Sequence, residues 1–184
     1  MNHIIAFGAS SSRASINKQF VTWATSQLPD SEVNILDLND YEMPIFSVDR
    51  ENDGGIPEEA KRFKELIREA DGIVISLAEH NGSYTAAFKN ILDWMSRLDK
   101  PIWCDKPMFL LSTSPGGRGG MSVMASAEKS FPFQGARVTS TFSLPFFNKN
   151  FDQDKGLLDE QLLTDFNNKK ELFLQSLSNS SDDD

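Results

Sequence analysis

The stretch "GIVISLA" (72–78) limits most tightly how this chain can fold. It is apolar apart from Ser76, carries no charge and does not alternate. A strand open to water on one face alternates polar with apolar residues. A continuous apolar strand instead needs cover on both faces, the situation of a parallel sheet between two helix layers. The rest of the chain provides both layers. "HIIAFGA" (3–9), "EVNILDL" (32–38), "PMFLLSTS" (107–114) and "ARVTSTFSLP" (136–145) read as four further strands, the last interrupted by polar residues. Helical patterns lie between them. Residues 15–28 align Ile16, Phe20, Ala24 and Leu28. Pro57 opens a second helix, with Glu58 and Glu59 in its first turn and Ala60, Phe63, Ile67 and Ala70 as its stripe. Residues 85–98 turn Phe88, Leu92 and Met95 inward, and another helix ends near Phe131. Residues 159–177 align Leu162, Phe166, Phe173 and Leu177. Five strands alternating with five helices give an α/β doubly wound sheet with right-handed crossovers. Length and strand count suit the order 2-1-3-4-5.

One domain over residues 1–178 is expected, with an acidic disordered tail over 179–184. The segment "NDYEMPIFSVDRENDGGI", rich in Asp, Asn, Gly and Pro, reads as irregular. No apolar run reaches the length of a membrane span, and the start "MNHIIAFGAS" lacks the pattern of a signal peptide, so a cytoplasmic protein is expected. Cys104 is the lone cysteine, which excludes an intrachain disulfide and a cysteine-built metal site. A net charge of −9 argues against a general nucleic-acid surface, and any anionic ligand must find a local positive site.

Ligands of an open parallel sheet bind beyond the carboxyl ends of its strands. Three unusual segments fall there: "GASSSRASIN", "AEHNGSY" and "STSPGGRGG". In the first, Ser10, Ser12 and Ser15 offer hydroxyls, Asn17 an amide and Arg13 a charge, in front of a helix N-terminus that favours an anion. Equally, Ser15 suits a plain N-cap in an ordinary turn. In the second, Asn81-Gly82 permits a positive-φ turn that turns backbone amides inward, with Ser83 or Thr85 capping the next helix. Glu79 and His80 are a candidate acid–base pair whose geometry the sequence leaves open. The third has four glycines and Arg118 in its last five residues, which lets a flat ligand approach closely.

In order, these segments resemble the signatures of the NADPH-dependent FMN reductase family of flavodoxin-like proteins, which includes quinone, chromate and azo-dye reductases. The matches are "GASSSRASIN", "AEHNGSYTAAFKNILDWMS" and "STSPGGRGG", and the likeness covers about residues 2 to 145. It implies bound FMN that carries electrons from NADPH or NADH to a small acceptor. Ser10, Ser12, Ser15, Ile16 and Asn17 would hold the phosphate, with Arg13 nearby. Glu79, His80, Asn81 and Gly82 would contact the isoalloxazine, largely through backbone, and Ser114, Pro115, Gly116 and Gly117 would flank its other side. Tyr84 and Arg118 would help position nicotinamide or acceptor. Where the family has Pro-Glu-Tyr-Asn, this chain has Ala78-Glu79-His80-Asn81, and the first loop is one residue shorter between its Arg and its Ser. No side-chain acid, base or metal is required. Helix 85–98 would join a dimer or tetramer interface, with Trp94 standing off the inward line of Phe88, Leu92 and Met95. A non-catalytic FMN-binding electron carrier is the alternative. A response-regulator-like switch would need an acidic cluster after strand 1 and an Asp after strand 3, and the chain has neither.

Overall fold

Strand β1 (Asn2–Gly8) leads through the serine-rich loop into helix α1 (Ile16–Ser26), which returns to β2 (Ser31–Leu36). The structure, a computed structural model, describes residues 1–180. Next come a 3-10 turn (Leu38–Tyr41), α2 (Val48–Gly54), α3 (Glu58–Glu69) and β3 (Gly72–Leu77). A small hairpin, β4 (Glu79–His80) and β5 (Ser83–Tyr84), precedes α4 (Ala86–Met95) and β6 (Lys106–Thr113). The chain continues with α5 (Met121–Ser130), a 3-10 turn (Pro132–Gln134), β7 (Ala136–Leu144), α6 (Phe147–Asn150), the hairpin β8 (Phe151–Asp152) and β9 (Gly156–Leu157), and α7 (Glu160–Ser180).

The five long strands form one parallel sheet in the order β2-β1-β3-β6-β7, the expected 2-1-3-4-5 arrangement. Every residue of β3 is buried, as its apolar run requires. Ile5, Phe7, Ile73 and Ile75 pack on one face with Phe63, Ile67, Phe88, Ile91 and Trp103. Ile4, Ala6, Val74 and Phe109 pack on the other with Phe20, Phe166 and Phe173. Helices α3, α4 and α5 therefore cover one face, and α1 and α7 the other. The polar interruptions of β7 have a simple cause: β7 is an edge strand, and its alternating burial leaves Thr139 and Thr141 half-exposed.

Two expectations change. The stretch after β2 is not irregular throughout, since it holds α2, capped by Ser47 Oγ, which accepts from Arg50 N at 3.2 Å. Helix α2 buries no residue, so it carries no apolar period for a sequence reading to find. The second change concerns Trp94. It is only 1% exposed: its indole N–H donates to Pro44 O at 2.7 Å, and Phe46 meets its ring edge-on at 5.0 Å. Phe88, Leu92 and Met95 are buried as well, so the face expected to join subunits is covered by the protein's own chain. Of the expected tail, residues 179 and 180 end α7, and 181–184 lie outside the described residues.

Candidate functional site

The β1 loop begins where strand and helix nearly touch. A Cβ on Gly8 would lie 2.5 Å from Lys18 N and 2.8 Å from the Asn17 carbonyl carbon, so only glycine fits there. Ser15 then caps α1: its Oγ accepts from Lys18 N at 3.2 Å, and its carbonyl from Gln19 N at 3.1 Å. Ser12 N donates to Ser10 Oγ at 3.1 Å, and Ser15 N to Ser12 O at 3.1 Å, which curls the loop over the helix start. Among the described residues, the N–H groups of Ile16 and Asn17 have no acceptor in the protein. They are the free donors of a helix N-terminus, which favours an anion.

Asn17 is buried, 3% exposed, and its carboxamide is committed to the sheet. Its Oδ1 accepts from Ser76 Oγ at 2.8 Å and from Thr113 N at 3.1 Å, while Nδ2 donates to Thr113 O at 3.2 Å. One side chain thus ties α1 to the ends of both β3 and β6. At the outer edge of α1, Lys18 pairs with Asp37, just past β2. That ammonium, helped by the Asn39 backbone N–H, holds the Asp37 carboxyl down at about 2.

The β3 loop is the β4–β5 hairpin, with Asn81 (φ 52°) and Gly82 (φ 75°) as its two turn residues. Both have positive φ, the type I′ pattern that Asn-Gly favours. Thr85, not Ser83, caps α4: its Oγ1 accepts from Phe88 N at 3.2 Å and donates to Ala9 O at 2.8 Å, fastening this loop to the first. Glu79 is not paired with His80. Its Oε2 accepts from Ser122 N at 2.9 Å and Val123 N at 3.0 Å, capping α5, whose own N-cap is Gly120. His80 is exposed. Tyr84 turns into the core against Phe88 and Phe131, its hydroxyl 3.1 Å from Ser130 Oγ, and burial raises its phenol pKa. Its ring therefore faces away from the open site where the sequence reading put it.

The β6 loop is held from beneath. Ser112 Oγ donates to Gly119 O at 2.7 Å, and Thr113 Oγ1 to Leu144 O at 2.9 Å. Phe146 N and Phe147 N donate to Gly116 O and Ser114 O, at 3.0 and 3.1 Å. A Cβ on Gly117 would come 2.7 Å from the Phe146 ring, so the loop packs closely on that ring at Gly117. Arg118 is exposed and donates to Ser122 Oγ at 2.9 Å.

The three loops close on one cleft of about 230 Å³. Ser10, Ser12, Ser15, Ile16 and Asn17 line it from the first loop, Glu79 and His80 from the second, and Ser114 and Pro115 from the third. Ala14, Ala78 and Thr113 join the lining without having been singled out from sequence. Thr113 had a faint signal, as the last polar residue of an apolar strand. Arg13 stands apart. It is exposed and lines a different groove, on the outer side of α1. The chemistry on offer is an anion seat of main-chain N–H groups and hydroxyls, opening toward two loops of mostly backbone surface.

Comparison with known proteins points to one family. Residues 2–149 match the NADPH-dependent FMN reductase family. The chain is 37% identical over 109 residues to a 2-hydroxy-1,4-benzoquinone reductase of Burkholderia sp., covering 58% of this chain and 57% of that protein. It is 30% identical over 148 residues to the probable NADPH:quinone oxidoreductase 1 of Oryza sativa subsp. japonica, covering 73% and 69%. The matches span about half the length of the first curated relatives. The flavoenzyme NAD(P)H:(acceptor) oxidoreductase FerB of Paracoccus denitrificans shares the fold, with a TM-score of 0.77 at 21% identity over 97% of this chain and 98% of its own. By its sheet order, its three converging loops and the match over most of its length, the chain belongs to the NADPH-dependent FMN reductase family.

Proposed function

We propose that this protein is a flavin-dependent reductase that draws electrons from NADPH or NADH and delivers them to a small acceptor, with quinones the favoured class. One observation carries the reading: Ile16 and Asn17, whose N–H groups are unbonded among the described residues, line a cleft walled by all three loops. The residues fit FMN. Its phosphate would take those N–H groups together with the hydroxyl hydrogens of Ser10, Ser12 and Ser15, whose oxygens face the cleft or cap the loop. Backbone of Ala78 to Gly82 and of Ser114 to Gly117 would bracket the ring. Bound FMN would supply the two-electron redox chemistry between nicotinamide and acceptor. The protein's own part is placement. The Asn17 tie holds the phosphate loop against both neighbouring strands, and Glu79 holds the start of α5 beside the ring loop. With its carboxylate committed to α5, Glu79 is a support and not an acid or base. The quinone preference rests on the names of the relatives. For assembly, we propose that copies meet over segment 43–48, which covers Trp94 and carries exposed Ile45 and Val48.

A visible spectrum tests the function. The purified protein should be yellow or become so with FMN, one flavin per chain, and anaerobic NADPH should bleach it until a quinone or oxygen restores the colour. Failure of FMN to bind at micromolar concentration overturns the reading. Bleaching by dithionite but by neither nicotinamide nucleotide assigns the chain to the electron carriers instead.

A further inference from the structure

Beside the flavin cleft, and sharing Ser15 with it, a second groove of about 410 Å³ runs along the outer face of α1. Arg13, Lys18, Gln19, Thr22, Trp23 and Gln153 form its walls. We propose that this groove seats the adenosine phosphate of the nicotinamide dinucleotide, an inference that rests on the flavin reductase reading above.

Three features support it. The first is charge. Lys18 is neutralised by Asp37, whereas Arg13 is exposed and, among the described residues, makes no ion pair or hydrogen bond, in a protein of net charge −9. An unpaired guanidinium suits a phosphate, which it can grip with two parallel N–H donors. Asp152 of the β8–β9 hairpin is turned into its own bend, its Oδ1 accepting from Asp154 N and Lys155 N at 3.0 and 2.9 Å. The second feature is the aromatic wall. Trp23 is half-buried, braced by Phe20, Phe151 and Phe166, and its indole N–H has no acceptor among the described residues. Gly156, at φ 77°, leaves the space the indole occupies, since a Cβ there would overlap it. The hairpin thus fixes the indole, packed against Gly156 along its Nε1 edge, as an aromatic part of the groove wall. The third is reach. Ser15 and Trp23 are eight residues apart, about 12 Å along a helix axis. A dinucleotide with its nicotinamide over the ring loops can therefore run past the phosphate seat and lay its adenosine on α1. The amides of Gln19 and Gln153 flank that position and can bond a purine edge.

The test uses the FMN-loaded protein with 2′,5′-ADP as probe. Trp94 and Trp103 are buried, so fluorescence quenching reports on Trp23. The expected result is saturable quenching, lost in Trp23→Phe, and competition with NADPH. Thr22→Glu puts a carboxylate on the exposed groove wall. It should weaken 2′,5′-ADP and raise the KM for NADPH by roughly tenfold each, while kcat and FMN affinity hold. Absence of quenching at millimolar probe, or a Thr22→Glu protein indistinguishable from the original, overturns the assignment. So does a preference for FAD over FMN that Thr22→Glu erases, because the groove then serves the flavin's own adenylate. Binding of 2′,5′-ADP that depends on Thr22, in a protein that NADPH does not reduce, keeps the groove and defeats the reductase reading.

Discussion

A single carboxamide decides whether the site keeps its shape. Asn17→Ala leaves the Thr113 N–H and carbonyl and the Ser76 hydroxyl buried without partners, and should cost about 2–3 kcal/mol in denaturant unfolding. Ser12 is the cleaner probe of the phosphate seat, because its exposed hydroxyl holds nothing else in the loop. Ser12→Ala should weaken FMN by about tenfold, the loss of one charge-assisted bond, while riboflavin affinity and stability stay unchanged. Equal losses for both flavins would place the phosphate elsewhere. Glu79→Gln keeps an acceptor for the start of α5 and should leave kcat within a factor of about two, whereas Glu79→Ala should lower stability by about 1 kcal/mol. A collapse of kcat in Glu79→Gln would return Glu79 to acid–base duty. At this scale the sequence shows caps and hides ties. Ser15 was legible, and Thr85 as one of two candidates with Ser83, because a cap and its target lie three residues apart. The partners of Asn17 lie 59 and 96 residues away and those of Glu79 more than 40, distances no local pattern spans.

Among the elements, the long strands and packed helices were readable because burial imposes a period, and the exceptions follow the same rule. Helix α2 buries nothing and left no trace. The hairpins β4–β5 and β8–β9 pair only two residues a side, too short for alternation to register. Their turns still matter. Gly156→Ala places a side chain at positive φ and against Trp23, so it should lower stability by about 1–3 kcal/mol and shift the tryptophan emission. An unchanged spectrum would mean that the hairpin does not seat the indole. The end of β2 depends on the Lys18–Asp37 pair. Asp37 titrates at about 2 when folded, below its ordinary 3.8, so its contribution is present above pH 4 and fades as pH falls toward 2. Asp37→Asn should therefore flatten acid unfolding across that window and leave the neutral-to-alkaline limb alone.

For the whole molecule, sheet order and the meeting of three loops followed from topology alone, since alternating strands and helices leave few arrangements. Much of the cleft lining followed as well, but Arg13 lines a separate groove, and Tyr84 and Trp94 pack against the protein's own aromatic residues. The Asn17 tie has a further consequence for how the protein takes up its cofactor. Because α1, β3 and β6 are joined beneath the phosphate seat by the protein's own bonds, the seat has its shape before any flavin arrives. Reconstitution should then be one bimolecular event: the observed rate rises in proportion to FMN concentration with no plateau, and the Thr113 amide exchanges with deuterium as slowly in the empty protein as in the loaded one.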